Sequence, residues 1–203
     1  EYYDLFPAMI NDWRKKWGKD FPFYWVQLAN YMDAVEVPSE SLWAQVREAQ
    51  TQTLSLPHTG QAVIIDIGEA KDIHPKNKQE VGRRLALHAL HNDYGFSDVV
   101  CESPMPKTVR RVQDKIVVQF DNVADGLIVK NKYGYLMSFA VAGTDGVYKW
   151  VQAKVAGKDR VVLSCPDVID PVSVRYAWGD NPDDANLYNS VGLPATPFEI
   201  KIE

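Results

Sequence analysis

Asp72 and His74 stand two residues apart in segment 66–78 (DIGEAKDIHPKNK), between an apolar run and a helical pattern whose first turn would hold Pro75. A histidine placed there suits general acid–base work, because an ordinary imidazole pKa of about 6.5 lets it take and return a proton at neutral pH. A carboxylate two residues away can fix the imidazole tautomer, as the acid of a catalytic triad does. The plain alternative is a loop histidine that caps the helix. His88 and His91, three apart on one helix, could share a metal, but no third ligand lies nearby and helix-surface residues account for them better. His58 sits in a Pro–Gly turn and reads as a surface residue. Asp180, Asp183 and Asp184 hint at calcium, yet Pro182 interrupts them and no Gly-plus-Glu loop follows, which leaves an Asx-rich turn. No glycine-rich phosphate loop is present, and nothing in the pattern calls for a metal or an organic cofactor. What is missing is a nucleophile. There is no Gly-x-Ser-x-Gly elbow, and Cys101 and Cys165 read as buried thiols with no base-like motif beside them.

The elements that must position His74 come from a chain of 203 residues with 22 basic and 27 acidic side chains, a net charge of −5. That balance argues against a nucleic-acid partner, which demands a concentrated basic face. No apolar run approaches the roughly 20 residues that cross a bilayer, so no membrane partner is expected. The first half reads as alternating helix and strand. A helix over 3–17 should place Leu5, Met9, Trp13 and Trp17 on one packed face and stop at Gly18. A short apolar strand spans 21–28, and a helix follows Pro38 with Ser39 or Ser41 as its N-cap. A second strand covers 62–67 (AVIIDI), and a long helix runs over 75–93 with Val81, Leu85, Ala89 and Leu90 inward, ended by Gly95. Strands without alternation, separated by helices, belong to a parallel sheet covered on both faces, with His74 near its C-terminal edge. Two such strands cannot stand alone, so the chain is expected to be the C-terminal portion of a larger α/β domain.

From about Lys107 the character changes. Segments 115–120, 127–130, 136–142, 148–155, 160–164, 172–178 and 198–202 are short, rich in Val, Tyr and Phe, and separated by turn residues such as Asp125-Gly126 and Asp145-Gly146. This spacing predicts an antiparallel β-sandwich. Pro104 and Pro106 mark the boundary, giving domains 1–103 and 104–203.

Four blocks carry a resemblance. LFPAMINDWRKKWGKDFPFYWVQLANY (5–31), LWAQVREAQ (42–50), VIIDIGEAKDIHPKNKQEVGRRLALHAL (63–90) and VRYAWGDNPDDANLYNSVGLPATPF (174–198) resemble, in order, the sialate O-acetylesterase family of SGNH (GDSL-like) carbohydrate esterases. The resemblance implies a three-layer α/β domain with a parallel sheet, here its C-terminal part, flanked by β-sandwich regions. It also implies removal of O-acetyl groups from sialic acid, with deacetylation of xylan in close relatives, in a periplasmic, secreted or lysosomal setting. The implied partners are an O-acetylated glycan substrate and an N-terminal half that bears the serine, in a Gly-Gln-Ser-Asn-like block preceding Glu1. The Ile-His-Pro block makes His74 the family's base. Such enzymes commonly carry Asp three residues before the histidine. Here Lys71 holds that position, so Asp72, Asp66 or an upstream carboxylate is the acid. On this reading the chain by itself is inactive. A second reading is a non-catalytic carbohydrate-binding or interaction module in which the sandwich does the work.

Overall fold

The computed structural model describes residues 1–203. Helix α1 (Tyr2–Trp17) ends at Gly18, whose left-handed backbone (φ 61°) closes the last turn on the carbonyls of Arg14 and Lys15. Its buried positions are Ile10 and Arg14, whereas Leu5, Trp13 and Trp17 are exposed. The expected packed face is therefore the wrong one. Contact with β1 (Phe23–Val26) is made by Phe6 and, from the expected face, by Trp13 alone, whose rings pack edge-on against Phe23.

Helix α2 (Leu42–Gln52) starts where expected, because Ser41 accepts a hydrogen bond from the Ala44 N–H. After a short 3-10 turn, β2 (Thr59–Ala62) pairs with β1 in parallel. The apolar run 62–67 does not form the strand. Pairing stops at Ala62, and Val63 and Ile65 turn instead into the core of the second half. An apolar run reports burial, and here the burying partner is not a neighbouring strand. Helix α3 (Lys78–Asn92) begins three residues later than expected, at Asn77, whose side chain accepts from the Glu80 N–H. Its most buried residues are Arg84 and His88, not the expected Val81, Leu85, Ala89 and Leu90.

β1 and β2 form a two-stranded sheet. Phe23 and Gln27 donate their N–H groups to His58 and Ala62, so by strand alternation the amides of Tyr24 and Val26 face away from β2 along an unpaired edge.

The second half holds two four-stranded antiparallel sheets. One runs β3 (Met105–Val112), β4 (Lys115–Asp121), β9 (Arg160–Ser164), β8 (Gln152–Ala156); the other runs β12 (Phe198–Lys201), β10 (Ser173–Tyr176), β6 (Phe139–Ala142), β7 (Tyr148–Trp150). β5 (Leu127–Val129) pairs with β11 (Leu187–Asn189). Ile116, Val118 and Phe120 of one sheet face Phe139, Tyr176 and Phe198 of the other across one core. Segment 148–155, expected as one strand, is two: β7 and β8 lie in different sheets, and Val151 lies between them. β3 escaped sequence reading because it is an edge strand with only Val109 buried and a bulge between Pro106 and Thr108, where a ladder donor is not required. β11, three residues long, was missed too. No helix is long and apolar enough to cross a membrane.

Candidate active site

The loops that follow β1 and β2 emerge at the same, C-terminal end of the parallel pair, where open α/β sheets build their sites. Residues 63–77 carry Asp72 and His74. The two are brought together: the His74 N–H donates to Asp72 Oδ1 at 2.9 Å, and the same oxygen lies 3.4 Å from His74 Nδ1. That Asx-type closure sets the backbone so that both side chains lie on one side of the turn. The backbone N–H of His74 is the main cause that holds the Asp72 carboxyl below the usual carboxylate range, with the imidazole and Lys76 adding to it. The His74 side chain is 83% exposed. Pro75 beside it is buried, which anchors the turn. No hydrogen bond reaches His74 Nε2, and no serine or cysteine of this chain bonds the ring.

Asp66, the other acid weighed for this role, is committed elsewhere. Arg84 grips it with two bonds (2.6 and 2.9 Å) while also donating to the Val63 carbonyl and to Glu80, and the Tyr188 hydroxyl donates to Asp66 Oδ2 at 3.2 Å. This bidentate fork nails the start of the loop to α3 and to β11 at once.

The far side of the loop is held by residues that sequence reasoning assigned to a solvated turn. Gly68 donates its N–H to Asn30 Oδ1 at 2.7 Å, and a Cβ on Gly68 would lie 2.2 Å from the Asn30 carbonyl oxygen. Only glycine permits that approach. Asn30 then donates to Asn181, and Asn181 donates to the Met32 carbonyl. Asp180 accepts from Ser41, and Asp184 accepts from Ser138. The acidic cluster is thus a tie between the loop after β1 and the sandwich, and no group of three His, Cys, Asp or Glu could hold a metal. Arg47, fully buried, donates to the carbonyls of Leu28, Ala29, Gly179 and Asp180 and clamps the same two loops. Burial pushes its pKa down to about 9, so it stays charged at neutral pH. The only signal of these ties in sequence was the density of Asn, Asp and Gly around 179–189.

Of the remaining histidines, His58 is exposed as expected, its Nδ1 3.2 Å from an Asp20 carboxylate oxygen. His88 bonds the Gln61 carbonyl (3.0 Å), stacks on Tyr24, and burial lowers its pKa, while His91 bonds the Val99 carbonyl. Cys101 and Cys165 are buried free thiols, and burial raises Cys101 to about 11.

No family model matches the sequence. The chain is 29% identical to a sialate O-acetylesterase of Mus musculus, over 99% of this chain and 41% of that protein, and 29% identical to that of Homo sapiens, over 97% and 42%. It therefore spans about two fifths of the length of the curated relatives it matches. Among solved structures it is similar to a carbohydrate acetylesterase from Xanthomonas citri, with a TM-score of 0.90 and 44% identity over 98% of this chain and 46% of that one.

Proposed function

We propose, from the premise that this chain is a homologue of the sialate O-acetylesterases, that it supplies the acid–base histidine of a carbohydrate O-acetylesterase whose nucleophile lies outside it. The observation that carries the reading is the exposed Asp72–His74 pair, its Nε2 unengaged, on a braced loop at the C-terminal end of the parallel strands. In this scheme Asp72 holds the Nδ1–H tautomer. His74 Nε2 takes the proton of a serine as its Oγ attacks the acetyl carbonyl, and returns it to the departing sugar oxygen, leaving an acetyl-serine. The same nitrogen then takes a proton from water as the water oxygen attacks the acyl-enzyme, and gives that proton to the departing serine Oγ as acetate leaves. The Asp72–His74 contact of 3.4 Å is long for a triad bond, as such contacts commonly are until substrate tightens them.

The rest of the protein docks, on this reading, along the free edge of β1 and extends it into a three-layer parallel sheet. Supporting this are the outward amides of Tyr24 and Val26 and the uncovered apolar side chains on both flanks: Leu5, Trp13 and Trp17 of α1, and Tyr94 and Phe96 beyond α3. The curated relatives' name points to O-acetylated sialic acid as the substrate, and the periplasmic, secreted or lysosomal setting follows from such glycan chemistry. The test is acetate release from O-acetylated sialic acid and from an aryl acetate by the full-length protein. His74→Ala should lower turnover by about 10⁴-fold or more. Full activity in that variant would overturn the assignment.

A further inference from the structure

Between the loop after β1 and the sandwich lies a cleft of about 320 Å³ that the scheme above does not use. That is the small end of the roughly 300–1,000 Å³ typical of small-molecule sites, room for a ring rather than a chain. Trp150 forms one wall. It is 43% exposed, and its indole N–H donates to the Glu36 carbonyl at 2.9 Å, which pins the ring while leaving area open. Met137 and Val35, also exposed, extend the apolar wall. Trp178 lines the cleft too, is only 6% exposed, and its indole N–H is a buried donor without an acceptor. Asp183 offers a carboxylate engaged in no hydrogen bond or ion pair. The backbone is strained here as well: Ser138 (φ 62°) and Ala177 (φ 51°) are both left-handed and are joined by the Ala177 N–H donating to the Ser138 carbonyl. Such strain gathers at ligand sites because the surroundings must over-determine it.

We propose that this cleft is a subsite for a neutral sugar unit, next to the sugar whose acetyl group His74 helps remove; this rests on the esterase reading. An aromatic wall with a free ring area and a carboxylate acceptor for hydroxyls are groups a pyranose uses, its C–H face on the ring and its hydroxyls on the polar atoms. Charge decides the class of sugar. Glu36, Asp183 and Asp184 line the cleft and no Lys, Arg or His does, so a sugar carboxylate finds repulsion and no cation to pair with. Position ties the cleft to the reaction. Asn181 on its wall donates to the Met32 carbonyl, and the Met32 N–H donates to the Ala70 carbonyl, two residues before Asp72. These bonds join the wall of the cleft to the backbone two residues before Asp72, so the loop after β1 supports both the cleft and the turn that carries His74.

The test is binding of xylobiose, methyl β-galactoside and N-acetylneuraminic acid to the full-length His74→Ala protein, followed by calorimetry and saturation-transfer NMR. At least one neutral sugar should bind, tenfold or more tighter than whatever part of N-acetylneuraminic acid binding depends on Trp150. Trp150→Ala and, as a milder change, Trp150→Phe should weaken it, and Asp183→Asn should narrow the gap between neutral and acidic sugars. Circular dichroism of each variant checks that it folds. Absence of neutral-sugar binding, Trp150-dependent binding of N-acetylneuraminic acid as tight as that of the neutral sugar, or undiminished neutral-sugar binding by a folded Trp150→Ala protein would overturn the subsite. Aryl acetate hydrolysis by the wild type needs no sugar, so its loss would sink the esterase reading while leaving the sugar-binding result to stand or fall alone.

Discussion

The two halves of this chain are held together in opposite ways. The sandwich closes over an apolar core of Val, Ile, Leu and Phe from its two facing sheets. The helix-bearing half has a sheet of only two strands, and its most buried side chains include Arg14, Arg47 and Arg84. Each of these guanidinium groups is satisfied by backbone carbonyls, and Arg84 by two carboxylates as well. Burying such groups costs several kcal/mol unless every donor is met. What the first half gains is placement: Arg47 joins α2 to the loops at 28–29 and 179–180, and Arg84 joins α3 to the start of the His74 loop. The dry core confers stability, and the polar ties fix where the reactive loop sits.

The sharpest way to break this contrast is Arg47→Met. It strips the Leu28 and Gly179 carbonyls of their only donor and takes one of two donors from the Ala29 and Asp180 carbonyls, and should cost about 2–6 kcal/mol, or prevent folding, as read by denaturant unfolding. In the sandwich, Leu163→Ala leaves an apolar cavity and should cost about 2–5 kcal/mol in the same assay. A next step separates position from stability. Gly68→Ala forces a Cβ against the Asn30 backbone, which no rotamer change relieves, so full-length esterase kcat should fall by about 10²-fold with a stability loss of only about 1–3 kcal/mol. Equal kcat would mean that the Gly68–Asn30 approach does not set the loop. Smaller again is the acid limb. Hydrogen bonds from Arg83, then Arg84, pull the Glu80 pKa down to about 2, so its contribution is present above about pH 4.5 and is lost as pH falls toward 2; Glu80→Gln should flatten that part of the pH–stability curve. Trp17→Ala should change the stability of the isolated 203-residue chain by no more than about 0.5 kcal/mol, because the ring is 75% exposed there. A larger loss would show that this face is covered.

Local signals were legible where one residue decides a local geometry. Ser41 and Gly18 set helix ends because capping depends on neighbours a few residues away. Segments 115–120 and 160–164 alternate and face the core as their pattern indicates. Reading failed where a partner distant in sequence did the burying. The 62–67 run left the sheet for the sandwich core, and Leu5 and Trp17, expected to be packed, turned out to be uncovered. The site divides the same way. Asp72 and His74 were legible because an Asx-type turn joins residues two apart. The engagement of Asp66 was not, since its partners Arg84 and Tyr188 lie 18 and 122 residues away.

By itself the sequence determined the helix caps, the alternation of the second half and the pairing of an acid with a histidine in one turn, since all of these are interactions over a few residues. Only the tertiary structure decided that Asp66 is taken by Arg84 and Tyr188, which aromatic residues face outward, and that Asn30, Asn181 and Arg47 brace the loop. Those outcomes depend on which distant group reaches a buried donor or acceptor first, and hydrogen-bond satisfaction in a packed interior is settled by the whole fold at once.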